Sequence, residues 1–226
     1  MAPWPSNMHK RYIQSFDTIF LDKDNEATGL AAAMTNLPKR ASRRMSRLGI
    51  MLHYLLTDLP LDIQTTLAYG TSFSECRTLE SYLDSFPDAS PTGFQNSIHP
   101  GGIEQALIVN KQAVGAFFPM AGHRNLMMQM LKLAFSAKTP EVILCGGEEK
   151  GSWLTDYGLA HNCSFAFAMR LSHDPDGACG ELTWEENAQH PEEAVPDMEE
   201  VVRLFSARNA VRLESDSLGL IRITPK

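Results

Sequence analysis

The sequence predicts an α/β protein, a layered α-β-α arrangement around a mostly parallel mixed sheet. Two observations carry this. Between residues 10 and 147, short apolar runs rich in β-branched and aromatic residues alternate with segments whose apolar positions recur at three and four. Strands that alternate with helices pair in parallel, and right-handed crossovers then place helices on both sheet faces. A third observation sets the scale. The 226 residues, 43% hydrophobic and 21% charged, suffice for one sizeable core or two small ones without a disulfide or metal staple.

In chain order, residues 10–21 read as the first strand, with Ile13, Phe16, Ile19 and Phe20. Pro38 marks a stop, and residues 42–56 read as a helix. Met45, Leu48, Leu52, Leu55 and Leu56 share one face of it and the arginines take the other. Residues 65–69 form a short strand ending at Gly70. Ser72 and Glu75 then make a capping box. It opens a helix with Leu79, Tyr82 and Leu83 on one side, stopped before Pro87. Ser90-Pro91 opens a turn, and residues 101–109 read as a short apolar helix. Residues 113–118 are a strand, closed by the turn Pro119-Met120-Ala121-Gly122. The next helix directs Leu126, Met127, Met130, Leu133 and Ala134 inward and Arg124, Gln129 and Lys132 outward. It ends near Lys138, before Pro140.

Residues 141–145 form a strand capped by Gly146-Gly147. Residues 164–171 and 180–184 read as strands around the turn Asp174-Pro175-Asp176-Gly177. A polar linker covers 185–196, a helix 199–207 and a last strand 218–223. There is no internal repeat and no clear domain boundary.

Composition excludes several classes. With Gly at 15 and Pro at 13 among plentiful aliphatics, the chain is neither collagen-like nor disordered. Its apolar runs, such as 113–120 and 165–169, fall far short of the ~20 residues that span a bilayer, so no stable membrane insertion is expected. Met1-Ala2-Pro3-Trp4-Pro5 has no charged-then-apolar signal pattern, which predicts a cytoplasmic protein. A net charge of −7 argues against nucleic acid as a partner. The charge is uneven: Lys39, Arg40, Arg43, Arg44 and Arg47 form a basic cluster, and residues 181–200 an acidic run. Cys76, Cys145, Cys163 and Cys179 lack CxxC spacing and read as free thiols.

Familiar chemical motifs are missing. His161 with Cys163, and His173 with Asp174 and Asp176, lack the spacing and second pair of a zinc site. Gly146-Gly147 follows a strand, but no third glycine opens a dinucleotide-binding helix, and no GxxxxGK[ST] is present. Gly70-Thr71-Ser72-Phe73-Ser74 resembles a nucleophile elbow without its second glycine, and Ser72 is better read as a helix cap. Ser97-Ile98-His99 brings a hydroxyl near an imidazole with no third orienting group. His53, on the arginine-bearing helix, is expected to be partly exposed.

One constellation is more specific. Ser90-Pro91, Phe94 and Ser97-Ile98-His99 are followed by a strand ending at Ala121-Gly122, a long helix, and Val142-Ile143-Leu144-Cys145-Gly146-Gly147-Glu148-Glu149-Lys150. This order resembles the N-terminal half of a β-ketoacyl synthase. Leu37-Pro38 followed by Arg43-Arg44-Met45-Ser46-Arg47-Leu48-Gly49 is similar to the leading helix of the short synthase-like chain-length factors of aryl-polyene-type systems. The resemblance covers about 10–172. It implies a thiolase-like half, a single domain over 1–226 with a divergent C-terminal extension from about 172.

The resemblance also implies a function by its departures. Ala121 stands where synthases place the catalytic cysteine, and an alanine methyl supports neither thiolate chemistry nor acylation. His123 is no substitute, His161 and His173 match no synthase motif, and the histidine-bearing half of a synthase lies outside the resemblance. The implied role is a non-catalytic, chain-length factor-like subunit of a complete β-ketoacyl-ACP synthase, with no cofactor and no metal. In such proteins the strand at Val114, Ala116, Phe117 and Phe118 would pair with the partner across the dimer axis. Residues Phe73, Cys76, Thr78, Leu79 and Tyr82 would border the acyl tunnel and set product length sterically. Arg43, Arg44 and Arg47 would steer an acidic acyl carrier protein. Two alternatives remain: an independent acyl-thioester-processing enzyme using Cys76, Ser97 or His99, and a homodimeric scaffold that binds acyl carrier protein.

Overall fold

A computed structural model describes residues 8–123, 125–158, 162–186 and 196–226. The chain runs β1 (Met8–Leu21), α1 (Glu26–Ala33), α2 (Lys39–Ser42), α3 (Arg47–Leu56), β2 (Thr65–Thr71), α4 (Cys76–Asp84), α5 (Pro91–Asn96) and α6 (Gly101–Asn110). It continues through β3 (Ala116–Ala121), α7 (Leu126–Ser136), β4 (Glu141–Glu148), α8 (Ser152–Asp156), β5 (Ser164–Ser172), β6 (Gly180–Glu185), α9 (Met198–Ser206), β7 (Val211–Ser215) and β8 (Gly219–Pro225). The strands form one mixed sheet in the order β3-β2-β4-β5-β1-β6-β8-β7.

Alternation along the strands builds the three layers. In β5, Phe165, Phe167, Met169 and Leu171 point to one face, packing with α7 and α9. Ala166 and Ala168 point to the other, where their small side chains let α3 approach, with α6 packed on α3. In β4, Val142 and Leu144 join the first core, and Ile143 and Cys145 the second. The α-β-α expectation holds.

The parallel expectation holds only at one end. β2 runs parallel to β3 and β4, and the remaining five pairings are antiparallel. β1 inserts between β5 and β6 and runs antiparallel to both, β6 pairs β8 antiparallel, and β7 and β8 form a hairpin, so no crossover helix is needed in this half of the sheet. Strand β7 and helices α1, α5 and α8 were not expected from the sequence.

The helix expected over 42–56 is interrupted. Ser46 accepts the Gly49 N–H at 2.9 Å and caps α3 at Arg47, leaving Arg43 and Arg44 ahead of the helix rather than on its outer face. His53 is buried rather than partly exposed, because α3 is covered by α6 as well as by the sheet. The expected polar linker falls largely at 187–195, outside the described residues, as does His161.

Candidate functional site

The parallel end of the sheet positions the site. β2 and β4 leave the sheet side by side, and their ends are brought together by glycine. A Cβ on Gly146 would lie 2.1 Å from the Gly70 carbonyl oxygen, and Gly147 adopts a φ of +151° with no room for a side chain against Phe165. Beyond these glycines the chain delivers Glu148 and Glu149 into the protein. The loop after β2 delivers Glu75, and α4 delivers Glu80.

All four glutamates are buried. Glu149 accepts the Leu48 N–H at 3.1 Å, the Thr78 N–H at 3.0 Å and the Thr78 hydroxyl at 3.0 Å, so one carboxylate satisfies the first turns of both α3 and α4. Glu75 accepts the Gly102 N–H in the first turn of α6 at 2.8 Å and the Ser74 hydroxyl. Glu80 accepts the N–H and hydroxyl of Ser152 at 2.8 and 3.0 Å, and Glu148 accepts the Ser72 N–H at 3.1 Å. Burial and the negative charge of Glu149 raise the Glu75 carboxyl to about 8, which keeps it protonated at neutral pH.

The predicted capping box is therefore absent. Ser72 does not cap α4, which begins at Cys76, and Glu75 reaches across to another helix. Periodicity placed Leu79, Tyr82 and Leu83 on one side of the helix, and the structure leaves the two leucines only partly covered. Leu79 is 36% exposed and Leu83 44%, while Cys76 and Glu80 are buried. The partly exposed patch continues through Tyr82, whose ring lies 5.4 Å from Phe86 and 5.6 Å from Phe94, both exposed.

Two of the predicted groups meet in a cavity of about 460 Å3 between α3, α4 and α5. Arg43 and Arg47 line it with Thr78 and Tyr82, and Arg77 adds a third guanidinium that the sequence reading missed. Arg47 and Arg77 both pair with Glu26, the latter at 3.1 Å. Arg44 is exposed but does not line the cavity, and neither do Phe73, Cys76 and Leu79. Phe73 instead packs its ring 5.9 Å from that of His123.

The expected dimer strand is shifted. β3 begins at Ala116 rather than 113 and runs through the predicted turn to Ala121, so Val114 precedes the strand and packs into the core with Phe117. β3 is an edge, paired to β2 alone among the described residues. Gly122 donates its N–H to the Thr71 carbonyl. Alternation from that bond turns the main-chain groups of Phe117, Pro119 and Ala121 away from β2, and Pro119 leaves a missing donor in the middle of that edge. Phe118 is 43% exposed. Ala121 ends the strand, exposed, five residues before α7 starts at Leu126.

The other nucleophile candidates are engaged. Cys76 donates its thiol to the Glu149 carbonyl at 2.6 Å, and burial together with the charges of Glu149, Glu80 and Glu148 pushes it to about 12. Ser97 donates its hydroxyl to the Phe94 carbonyl at 2.8 Å, and the His99 ring stacks on Tyr69 at 5.3 Å. Burial lowers the pKa of His99 and His53. Burial also raises Cys145 and Cys163.

No protein-family profile matches the sequence, and no curated protein matches it. Solved structures do match. A chain of the complex of ketosynthase (ApeO) with its chain length factor (ApeC) from Xenorhabdus doucetiae superposes with a TM-score of 0.64 at 17% identity, covering 96% of this chain and 99% of that one. A Streptomyces albus oxazolomycin ketosynthase domain gives 0.43 at 10% identity, covering 85% of this chain and 38% of its own. PksG, an HMG-CoA synthase from Bacillus subtilis, gives 0.34 at 8%, covering 83% and 47%. The chain has the ketosynthase-like α/β fold found in the ApeO–ApeC complex.

Proposed function

We propose that this chain is a non-catalytic, chain-length factor-like subunit that pairs with a complete β-ketoacyl-ACP synthase and shapes its acyl tunnel. The observation that carries the reading is the partly exposed apolar patch at the end of α4, where Leu79 and Leu83 lie uncovered near Tyr82, Phe86 and Phe94. An apolar face of this kind marks an interaction surface. The edge of β3 is a second contact surface, with Phe118 as its apolar anchor. The missing donor at Pro119 makes side-chain packing there more important than strand pairing. The likeness to a chain of a ketosynthase–chain length factor complex over nearly the whole of both chains supports this reading. The bound thiol of Cys76 and the hydrogen-bonded hydroxyl of Ser97 count against an independent acyl-transfer enzyme.

Co-expression with a ketosynthase encoded beside its gene tests the reading. A 1:1 complex by light scattering that is lost in Leu79→Asp/Leu83→Asp is the expected result. A monomer indifferent to the ketosynthase overturns it, and a homodimer in the absence of ketosynthase favours the scaffold alternative. In a reconstituted pair, Tyr82→Ala lengthens the products if this helix borders the tunnel.

A further inference from the structure

The cavity between α3, α4 and α5 holds more positive charge than its surroundings neutralise. Three guanidiniums line it, from Arg43, Arg47 and Arg77. Arg47 and Arg77 share a single carboxylate, Glu26, and Arg43 has no ion pair among the described residues. Glu149 is close enough to act on Arg47, but its oxygens are taken by the backbone of α3 and α4 and by Thr78. Burial and the like charge of Arg77 lower the Arg47 guanidinium below its ordinary value. An entering anion relieves that repulsion.

The remaining lining selects the kind of anion. Ser81 and Thr92 place hydroxyls at the cavity among the arginines, and Tyr82 forms an apolar wall leading toward the exposed face of α4. A carboxylate has two oxygens and uses one guanidinium fork. A phosphoryl group has three or more acceptor oxygens and matches several forks and hydroxyls at once. At about 460 Å3 the space exceeds what a bare ion needs and admits part of an organic ester.

We propose that this cavity binds the phosphoryl group of a phosphate ester, held by Arg43, Arg47 and Arg77 with Ser81 and Thr92, its organic portion lying against Tyr82. The site stands without the subunit reading. Only the bearer of the phosphate, the phosphopantetheine arm of a carrier protein rather than a free ester, rests on that reading.

Titration of the full chain with inorganic phosphate, pantetheine and 4′-phosphopantetheine, followed by calorimetry at fixed ionic strength in chloride, tests it. The expected result is saturable binding of phosphopantetheine, tighter than inorganic phosphate, with none for pantetheine. Arg43→Ala and Arg77→Ala each weaken it about tenfold, the loss of one charge-assisted interaction, and Arg212→Ala on the far edge of the sheet does not. Binding no stronger than the chloride blank, or weakened equally by Arg212→Ala, overturns the site. Equal affinity for phosphate and its ester overturns the ester assignment. Tighter binding of phosphopantetheine-bearing than of unmodified carrier protein, abolished by Arg77→Ala, identifies the arm as the source. Equal binding of the two carriers assigns the site to a free ester and overturns the arm. These titrations need no ketosynthase, so their outcome is independent of the pairing test.

Discussion

Along one side of α4, polar groups are buried while neighbouring leucines are left partly uncovered. Cys76 and Glu80 are buried, with Cys76 bonded to Glu149, while the adjoining Leu79 and Leu83 stay 36% and 44% exposed, beside Tyr82. Buried charge is costly unless it is hydrogen-bonded, and exposed leucine is wasteful unless something covers it. For the buried groups, the cost is met by backbone donors, because Glu149 and Glu80 each accept main-chain N–H groups. Over the leucines, the described residues supply only partial cover. The buried polar groups of α4 thus fix the fold, and its partly uncovered leucines are the residues the proposed partner would cover.

The largest expected effect disrupts the buried polar groups. Glu149→Ala orphans the buried N–H groups of Leu48 and Thr78, at about 1–3 kcal/mol each, so thermal melts should show Tm roughly 10 °C lower. Glu149→Gln, which keeps one acceptor oxygen, should lose less. The leucines should matter less to the fold. Leu79→Asp/Leu83→Asp should lower stability by about 2 kcal/mol, less than Glu149→Ala, because both leucines are only partly covered. The same variant should weaken ketosynthase binding by about 2 kcal/mol or more in a sedimentation titration. Equal damage to stability would mean that the leucines are core as well.

A subtler effect sharpens the comparison through pH. Glu75 holds its proton up to about 8 in the folded chain but releases it near 4.5 when unfolded. The folded state therefore binds an extra proton between these values. The stability this contributes is complete below about pH 4.5, declines as pH rises, and is gone above about 8, by up to about 1.4 kcal/mol per pH unit. Glu75→Gln should flatten that slope in melts from pH 5 to 8.5, with the variant gaining relative to the wild type at the alkaline end. The smallest expected effect is at the β3 edge, where Phe118→Ser should leave Tm nearly unchanged and weaken partner binding less than the α4 pair.

Much of the scaffold was legible from local pattern. The apolar runs at 164–171 and 141–145 each marked a strand, because that signal is written within a few residues, although β4 runs on through Gly146-Gly147 to Glu148 instead of ending before them. The site was less legible because its bonds join distant segments. Ser72 and Glu75 have the spacing of a capping box, yet Glu75 finds the Gly102 N–H and Ser72 faces Glu148, 76 positions away. Arg77 reads as an ordinary surface arginine until folding sets it beside Arg47 and Glu26.

The sequence alone determined the α/β layering, the order of most strands and helices, and the grouping of Leu79, Tyr82 and Leu83 on one side of a helix. Periodicity encodes which residues share a face. It does not encode what lies opposite that face. Tertiary structure decided that the leucines stay partly uncovered, that four glutamates are buried, and that the sheet turns antiparallel after β4. Those outcomes depend on which donors and surfaces distant segments bring into reach, and no window of neighbouring residues contains them.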